Sequence, residues 1–391
     1  MTALSGVRAY FGFQFFFSLL LWAPIFYEYQ RRTGLSDAQI FAIQSLYYLV
    51  FCLLEIPTGA LADALGYRRC IRWGARILVV ANLLPIFAAN FAGFAVHWVL
   101  IALSRSLISG AASAYLYEYL RFHGEPEGFK LAEGRSRALG LSGKVVGWAA
   151  IGYLMEWHFT LPYWLTVLSA GCSVWYASRL PALDIEQHAR RPGLDFRAAF
   201  GLLRRSRALL LAVISGLALF VLARLCQVNL YQPILNEKGL GLGAAGVIMA
   251  VTTLFEAAGS ACPNLLRRIC NDFQAVLLLT VAMAVSTSGM AWSGASGTIA
   301  WLCVFALAVG LSYPIQRQLL NDLIPDSRYR ATVMSLESLI DRAAVAALAP
   351  ALAGFVAGGT LDLFLHGAAL LSLLLTAALA LAGRGTSALE R

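Results

Sequence analysis

Apolar runs long enough to cross a lipid bilayer recur along nearly the whole chain. About 20 consecutive apolar residues span the hydrocarbon core as a helix, and charged or Gly/Pro-rich stretches separate such runs here. The 391 residues are 59% hydrophobic and only 13% charged, far from the averages of soluble proteins. We therefore predict an all-α membrane protein with twelve transmembrane helices. The predicted helices lie near residues 9–29, 37–64, 73–92, 94–120, 133–156, 160–180, 208–234, 242–266, 273–293, 297–320, 329–357 and 360–382.

The distribution of basic residues predicts how these helices are oriented. Basic residues are enriched in cytoplasmic loops, and a cytoplasmic N-terminus places most loop arginines on that side. The inner segments then contain Arg68, Arg69, Arg72, Arg121, Lys130, Arg190, Arg191, Arg204, Arg205, Arg267, Arg268, Arg328 and Arg330, and the outer loops mainly Arg31, Arg32 and Lys238. The net charge of +9 is thus explained by orientation rather than by a nucleic-acid partner. We expect a multi-pass protein of the inner (plasma) membrane with both termini in the cytoplasm.

The longest polar interruption divides the chain into two similar halves. Residues 181–207 are predicted to be a cytoplasmic linker between six-helix bundles formed by residues 1–180 and 208–391. The segments "RSRALGLS" and "RYRATVMS" share an Arg-x-Arg-Ala-x-x-x-Ser pattern where the fifth helix of each half begins. These matching positions indicate an internal repeat, which is common among secondary transporters.

The stretch "EIPTGALADALGYRR", residues 55–69, interrupts the second predicted helix with a carboxylate and glycines. Gly59 would allow another helix to approach closely, and Asp63 could accept backbone N–H groups at a neighbouring helix N-terminus. Gly66 would supply a tight turn before Arg68 and Arg69. These features describe a latch at the inner surface, but residues 65–69 taken alone are better explained by a helix end with a turn glycine followed by cytoplasmic arginines.

This stretch resembles the signature loop of the major facilitator superfamily, Gly-x-Leu-Ala-Asp-x-x-Gly-(Arg/Lys)-(Arg/Lys). The matching positions are Gly59, Leu61, Ala62, Asp63, Gly66, Arg68 and Arg69, whereas Ala64 and Tyr67 stand where many members of the family carry Arg. The segments "EIPTG" and "SGAASAYLYEYL" resemble a prokaryotic subgroup of exporters. The resemblance implies two pseudo-symmetric six-helix bundles that rock between inward-open and outward-open states. It also implies that Asp63 engages the start of the eleventh helix, near residues 330–332, when the inner side is closed.

Ionisable residues inside the predicted helices are the candidates for substrate binding and coupling. Each costs at least about 2.5–3.5 kcal/mol near the bilayer centre, so each calls for a partner or a wet cavity. The candidates, with two polar neighbours, are Arg105, Lys144, Arg224, Gln227, Tyr231, Glu256, Arg317, Asp341 and Arg342. Glu55, Arg317 and Glu337 lie nearer helix ends, where a structural role is about equally plausible. The cationic excess favours substrates that carry carboxylate or phosphate groups.

Individual candidates carry more specific expectations. Arg105 lies well inside the fourth helix, with Glu118 or helix-end carbonyls as the alternative, structural partners. Arg224, Gln227 and Tyr231 share one face of a regular helix. Asp341 and Arg342 are adjacent and point in different directions, so one of them should meet another helix. Glu256 is the leading candidate for a proton carrier.

Other kinds of chemistry find little support in the sequence. The five histidines, seven cysteines and five internal methionines do not cluster at metal-ligand spacing, and no CxxC pair or Walker loop is present. We therefore expect no enzymatic activity, no cofactor and no metal site.

Taken together, the sequence predicts a monomeric, proton-coupled secondary transporter of a small organic molecule, exporting it by antiport. The antiporter pattern expected on the fifth helix includes a proline after a glycine, and this chain has Lys144 there instead. Proton-coupled uptake of an organic anion or nutrient therefore stays open as an alternative. A non-transporting membrane receptor built on a transporter scaffold is the alternative from another class.

Overall fold

The computed structural model describes residues 3–125, 128–182, 196–262, 264–267, 269–324 and 330–386, and every regular element in these ranges is helical. The helices are α1 (Ala3–Ser18), α2 (Phe26–Arg32), α3 (Asp37–Leu65), α4 (Tyr67–Phe87), α5 (Phe91–Phe122), α6 (Phe129–Trp157), α7 (Leu161–Ser178), α8 (Phe196–Arg205), α9 (Arg207–Arg224), α10 (Tyr231–Glu237), α11 (Leu242–Ala261), α12 (Asn264–Arg267), α13 (Asp272–Trp292), α14 (Ala295–Leu323), α15 (Arg330–Ala357) and α16 (Leu361–Gly383).

Ten of the described helical segments are long and apolar enough to cross a membrane, which agrees with the predicted all-α membrane fold. The first predicted span, 9–29, is not one continuous helix. It is broken between α1 and α2 at residues 19–25. The indole of Trp148 on α6 donates a hydrogen bond to the Leu20 carbonyl in this break, at 2.9 Å. A backbone acceptor that the broken helix leaves open is thereby satisfied.

The seventh predicted span, 208–234, is also irregular. α9 ends at Arg224, a π-helical turn covers Leu225–Asn229, and α10 begins at Tyr231. The expectation of a regular helical face through Arg224, Gln227 and Tyr231 was therefore wrong. A π turn holds more residues per turn than an α-helix, so side-chain positions after it are rotated out of the α-helical register.

The predicted linker, 181–207, contains a helix. α8 covers ten of its residues, and residues 183–195 lie outside the described part of the chain. Arg204 lies over the Phe200 ring at 5.1 Å from its centroid, while Leu203 is buried. α8 thus carries apolar side chains along one face with Arg204 at its border, as helices at a membrane surface do.

The chain divides into two compact units, one comprising Met1–Gly193 with Leu242–Ala250 and the other Leu194–Gly241 with Val251–Arg391. Whether the bundles have the predicted boundaries stays a prediction. In the first unit, a core of tyrosine, phenylalanine and small aliphatic side chains joins α1, α4 and α5. In the second unit, a Cβ atom added to Gly310 on α14 would clash with the backbone carbonyl oxygen of Glu256 on α11, only 2.0 Å from it. Because glycine has no side chain, α11 and α14 can approach at backbone distance there.

Candidate functional site

A charged pair ties α9 to α15 inside the second unit. The Nε atom of Arg224 lies 2.8 Å from both carboxylate oxygens of Asp341, and Nη2 lies 2.8 Å from Oδ2. The Asp341 side chain is 3% exposed and the Arg224 side chain 33% exposed. The guanidinium group therefore compensates a buried carboxylate while part of it still faces outward. Asp341, rather than Arg342, is the one shown to meet another helix.

A second carboxyl group, Glu337, lies one turn before Asp341 on the same face of α15. Its Oε1 atom accepts a hydrogen bond from Nε2 of Gln316 on α14, at 2.9 Å. Its Oε2 atom is 3.9 Å from Nη1 of Arg317, which is too long for a hydrogen bond. The Glu337 side chain is 1% exposed, so it is the more deeply buried and the less well compensated of the two carboxyl groups.

Glycine at position 216 of α9 makes room for this pair. A Cβ atom built on Gly216 would lie 2.2 Å from both Gln316 Nε2 and Glu337 Oε1. The same Gln316 amide donates a second hydrogen bond to the Ala212 carbonyl on α9, at 2.9 Å. Side chains of α14 and α15 are thus held against the backbone of α9. We refer to Arg224, Gln316, Arg317, Glu337 and Asp341 as the polar cluster of the second unit.

The other residues predicted on the seventh span lie around the π turn. Gln227 is half-buried and Tyr231 is buried. Asn229 Nδ2 donates a hydrogen bond to the Arg224 carbonyl at 3.3 Å, across the widened turn. The π turn therefore adjoins Arg224 directly, and such turns are frequent at functional sites.

In the first unit, Arg105 is the residue that most needs an explanation. Its neighbours face inward, with Ser104 Oγ donating to the Gly74 carbonyl and Ser106 Oγ bonding Thr58 Oγ1, both at 2.7 Å. The Arg105 side chain points away from this packing and is exposed. Within the described part of the chain it makes no hydrogen bond or ion pair, and Glu118, the alternative partner, lies 3.9 Å from Arg121 instead.

Lys144 is half-buried on α6 and lies over the Trp148 ring, 5.7 Å from its centroid. A cation at this distance from an indole face gains about 0.5–1 kcal/mol at exposed sites. The ammonium group therefore has a partner on its own helix, one turn away.

Three further predicted site residues, Glu256, Arg317 and Arg342, are half-buried. Glu256 and Arg342 each take part in interactions with their surroundings. Arg317 has its guanidinium 5.3 Å from the centroid of the Tyr313 ring.

The predicted latch segment is described in part. Gly66 is the C-cap residue of α3 and also the N-cap residue of α4. Its φ angle of 91° lies in the region that favours glycine. Gly59 and Arg69 are exposed, and Arg68 is half-buried. The side chains of Asp63, Arg330 and Ala331 lie outside the described part, so the latch contact stays a prediction.

No group of three or more His, Cys, Asp or Glu side chains able to hold a metal ion occurs in the described ranges. Bilayer-length helices that hold buried charges, together with a mid-helix arginine that has no partner among the described residues, are typical of polytopic membrane proteins that carry polar solutes.

The chain belongs to the Major Facilitator Superfamily, whose family model matches residues 2–342. A relative from Bacillus subtilis (strain 168), described as the uncharacterized MFS-type transporter YxaM, is 24% identical over 356 residues, which cover 86% of this chain and 84% of that protein. The predicted family and the transporter class are thereby confirmed.

Solved structures confirm the fold. The crystal structure of the nucleoside transporter NupG matches with a TM-score of 0.79 at 13% identity, over 98% of this chain and 100% of that chain. A variant of the peptide transporter POT matches with a TM-score of 0.78 at 15% identity, over 99% of this chain and 95% of that chain. A structure of the same transporter with alafosfalin has a TM-score of 0.75 and covers 100% of this chain and 95% of that chain, at 15% identity. Its membership of the Major Facilitator Superfamily, a family of transporters rather than enzymes, makes the chain a multi-pass membrane transporter.

Proposed function

We propose that this chain is a proton-coupled secondary transporter of a small organic molecule with an anionic group, working by alternating access in the plasma membrane. The observation that carries the proposal is Arg105, an exposed guanidinium without a partner in the described residues, inside a 32-residue apolar helix. It lies fourteen residues after Phe91, which is about 21 Å along the helix axis. That depth is well within a hydrocarbon core about 30 Å thick.

Exposing an arginine to lipid at this depth costs at least about 2.5–3.5 kcal/mol when no partner compensates its charge. A water-filled passage removes that cost, and an anionic substrate that enters it would find a guanidinium group ready for bidentate binding. The carboxyl groups of the second unit supply sites where a proton could bind and leave, which supports coupling to a proton gradient. Export by antiport follows from the resemblance to the exporter subgroup. The presence of Lys144 in place of the antiporter proline favours the second candidate, uptake of an organic anion.

A thermal-shift screen of the purified full chain tests the substrate class first. The panel contains organic acids, siderophores, cationic dyes and sugars, measured with wild type, Arg105→Ala and Arg105→Lys. Arg384→Ala is the matched control, because Arg384 is exposed and follows the last helix. We expect stabilisation by an organic acid that Arg105→Ala abolishes and Arg384→Ala retains. Stabilisation by cationic dyes alone, unchanged in Arg105→Ala, would contradict the proposal.

Proteoliposomes then decide the direction. A radiolabelled form of the stabilising acid is added outside vesicles that carry a pH gradient of either sign. Antiport predicts accumulation when the lumen is acidic, and cotransport predicts accumulation when the outside is acidic. Stabilisation without flux under either gradient would identify the receptor alternative.

A further inference from the structure

Two buried oxygen atoms in the polar cluster of the second unit lack a hydrogen-bond donor. The Gln316 amide uses both of its hydrogens, one to the Ala212 carbonyl and one to Glu337 Oε1. Its own Oε1 atom and the Oε2 atom of Glu337 are buried with no hydrogen-bond partner in the described residues. Gln316 therefore makes two hydrogen bonds and Glu337 accepts one, and each of the two groups has one acceptor oxygen left over.

A carboxylate and an amide oxygen are both acceptors, so neither can satisfy the other. Turning the amide over would not help, because its oxygen would then face the Ala212 carbonyl and Glu337 Oε1, two further acceptors. A single proton on Glu337 Oε2 resolves both deficits. The protonated carboxyl group would donate to Gln316 Oε1 while the amide donates to Oε1 of Glu337, and this cyclic acid–amide pair would leave neither oxygen without a partner.

We propose that Glu337 is the proton-binding carboxyl group of this transporter and that its protonated form is paired with Gln316. The proton comes from water and returns to it. As a role in coupling this rests on the proposed function, but the bound proton itself does not. Glu256, the candidate favoured by sequence, is the competing assignment.

The surrounding charges distinguish Glu337 from its neighbour on α15. Among the described side chains, the charged groups beside Glu337 are Arg317 on α14 and Asp341 one turn further along α15. Asp341 is compensated by Arg224 at 2.8 Å, whereas the contact from Arg317 to Glu337 is 3.9 Å. Loss of the proton would leave a carboxylate with Arg317 as the nearby cation, so the cluster has two distinct charge states.

Infrared difference spectroscopy of the full chain in lipid nanodiscs, acid minus alkaline and without substrate, tests this directly. We expect a protonated-carboxyl C=O band that exchanges slowly with deuterium and shifts when glutamate is labelled with carbon-13. The band should be lost in Glu337→Gln and retained in Glu256→Gln, the matched control. Glu337→Gln can still pair with Gln316 as an amide–amide pair, so it should fold.

The outcomes separate cleanly. A band that persists in Glu337→Gln, a band lost only in Glu256→Gln, or no glutamate band at all would overturn the proposal. If Glu337→Gln does not elute as a folded monodisperse protein, Glu337→Asp replaces it: the carbon-13 shift of the band should be lost, because aspartate is not labelled, and a band that still shifts would overturn the proposal. Failure to transport an organic acid would leave the band unchanged, so the two proposals fail independently.

Discussion

Removing Arg224 should destabilise the second unit more than removing the whole charged pair. In Arg224→Leu the carboxylate of Asp341, 3% exposed, loses three contacts of 2.8 Å and stays buried. Breaking a buried pair from one side costs about 3–5 kcal/mol, and we expect the lower end, about 3 kcal/mol, because the Arg224 side chain is itself one-third exposed. In the double variant Arg224→Leu/Asp341→Leu no uncompensated charge is left, and a loss of at most about 1 kcal/mol is expected.

A double-mutant cycle measures this difference. The free energy of unfolding is determined by denaturant titration in mixed micelles for wild type, both single variants and the double variant. The expected coupling between the two positions is about 2 kcal/mol or more, since residues in one network are not additive. Additive losses, or a single variant as stable as wild type, would refute the claim that Arg224 compensates a buried charge.

Two further effects follow from single positions. Gly216→Ala should lower stability by about 1–3 kcal/mol because its methyl group would overlap the acid–amide pair, whereas Gly367→Ala, with open space around it, should change thermal stability little. Equal effects of the two substitutions would show that the space at position 216 is not needed. Burial, and then the nearby Asp362, raise the pKa of Glu237 above its ordinary 4.5, so the charged form opposes folding and stability falls as pH rises through the raised pKa. Glu237→Gln should therefore unfold at a higher temperature than wild type above the raised pKa, and at the same temperature below pH 4.5. An increase in unfolding temperature that is the same at every pH would argue against this explanation.

The fold was predictable from the sequence because the membrane imposes it. Apolar runs of bilayer length can only be helices or barrel strands there, and helices need no information beyond their own length and hydrophobicity. The breaks were not predictable in the same way. Pro24 lies in the first break, and Gln227 and Asn229 lie in the second, but such residues also occur inside continuous membrane helices. The irregular backbone depends on partners elsewhere, such as Trp148 for the Leu20 carbonyl.

The candidate site was predictable only as a set of charges. Sequence indicated that Asp341 or Arg342 should meet another helix, but not that Arg224 is the partner, because that requires the packing of α9 on α15. Glu337 is recognisable in the sequence as an embedded charge, but its position near a predicted helix end did not mark it as a site residue. Gln316 is uncharged, so a search for embedded charges does not find it. The i, i+4 spacing of Glu337 and Asp341 could have indicated that both carboxyl groups lie on one face of the same helix.

The π turn at Leu225–Asn229 amounts to one residue more than a continuous α-helix would hold. Removing one residue from it would let α9 run straight into α10 and would leave Arg224 beside Asp341 and Tyr231 buried, because the residue lost is the extra one that the wide turn accommodates. The same deletion in the regular part of α9 would rotate every later side chain by about 100°. The chain thus carries a point where a one-codon deletion would straighten a helix without re-aiming either half of it.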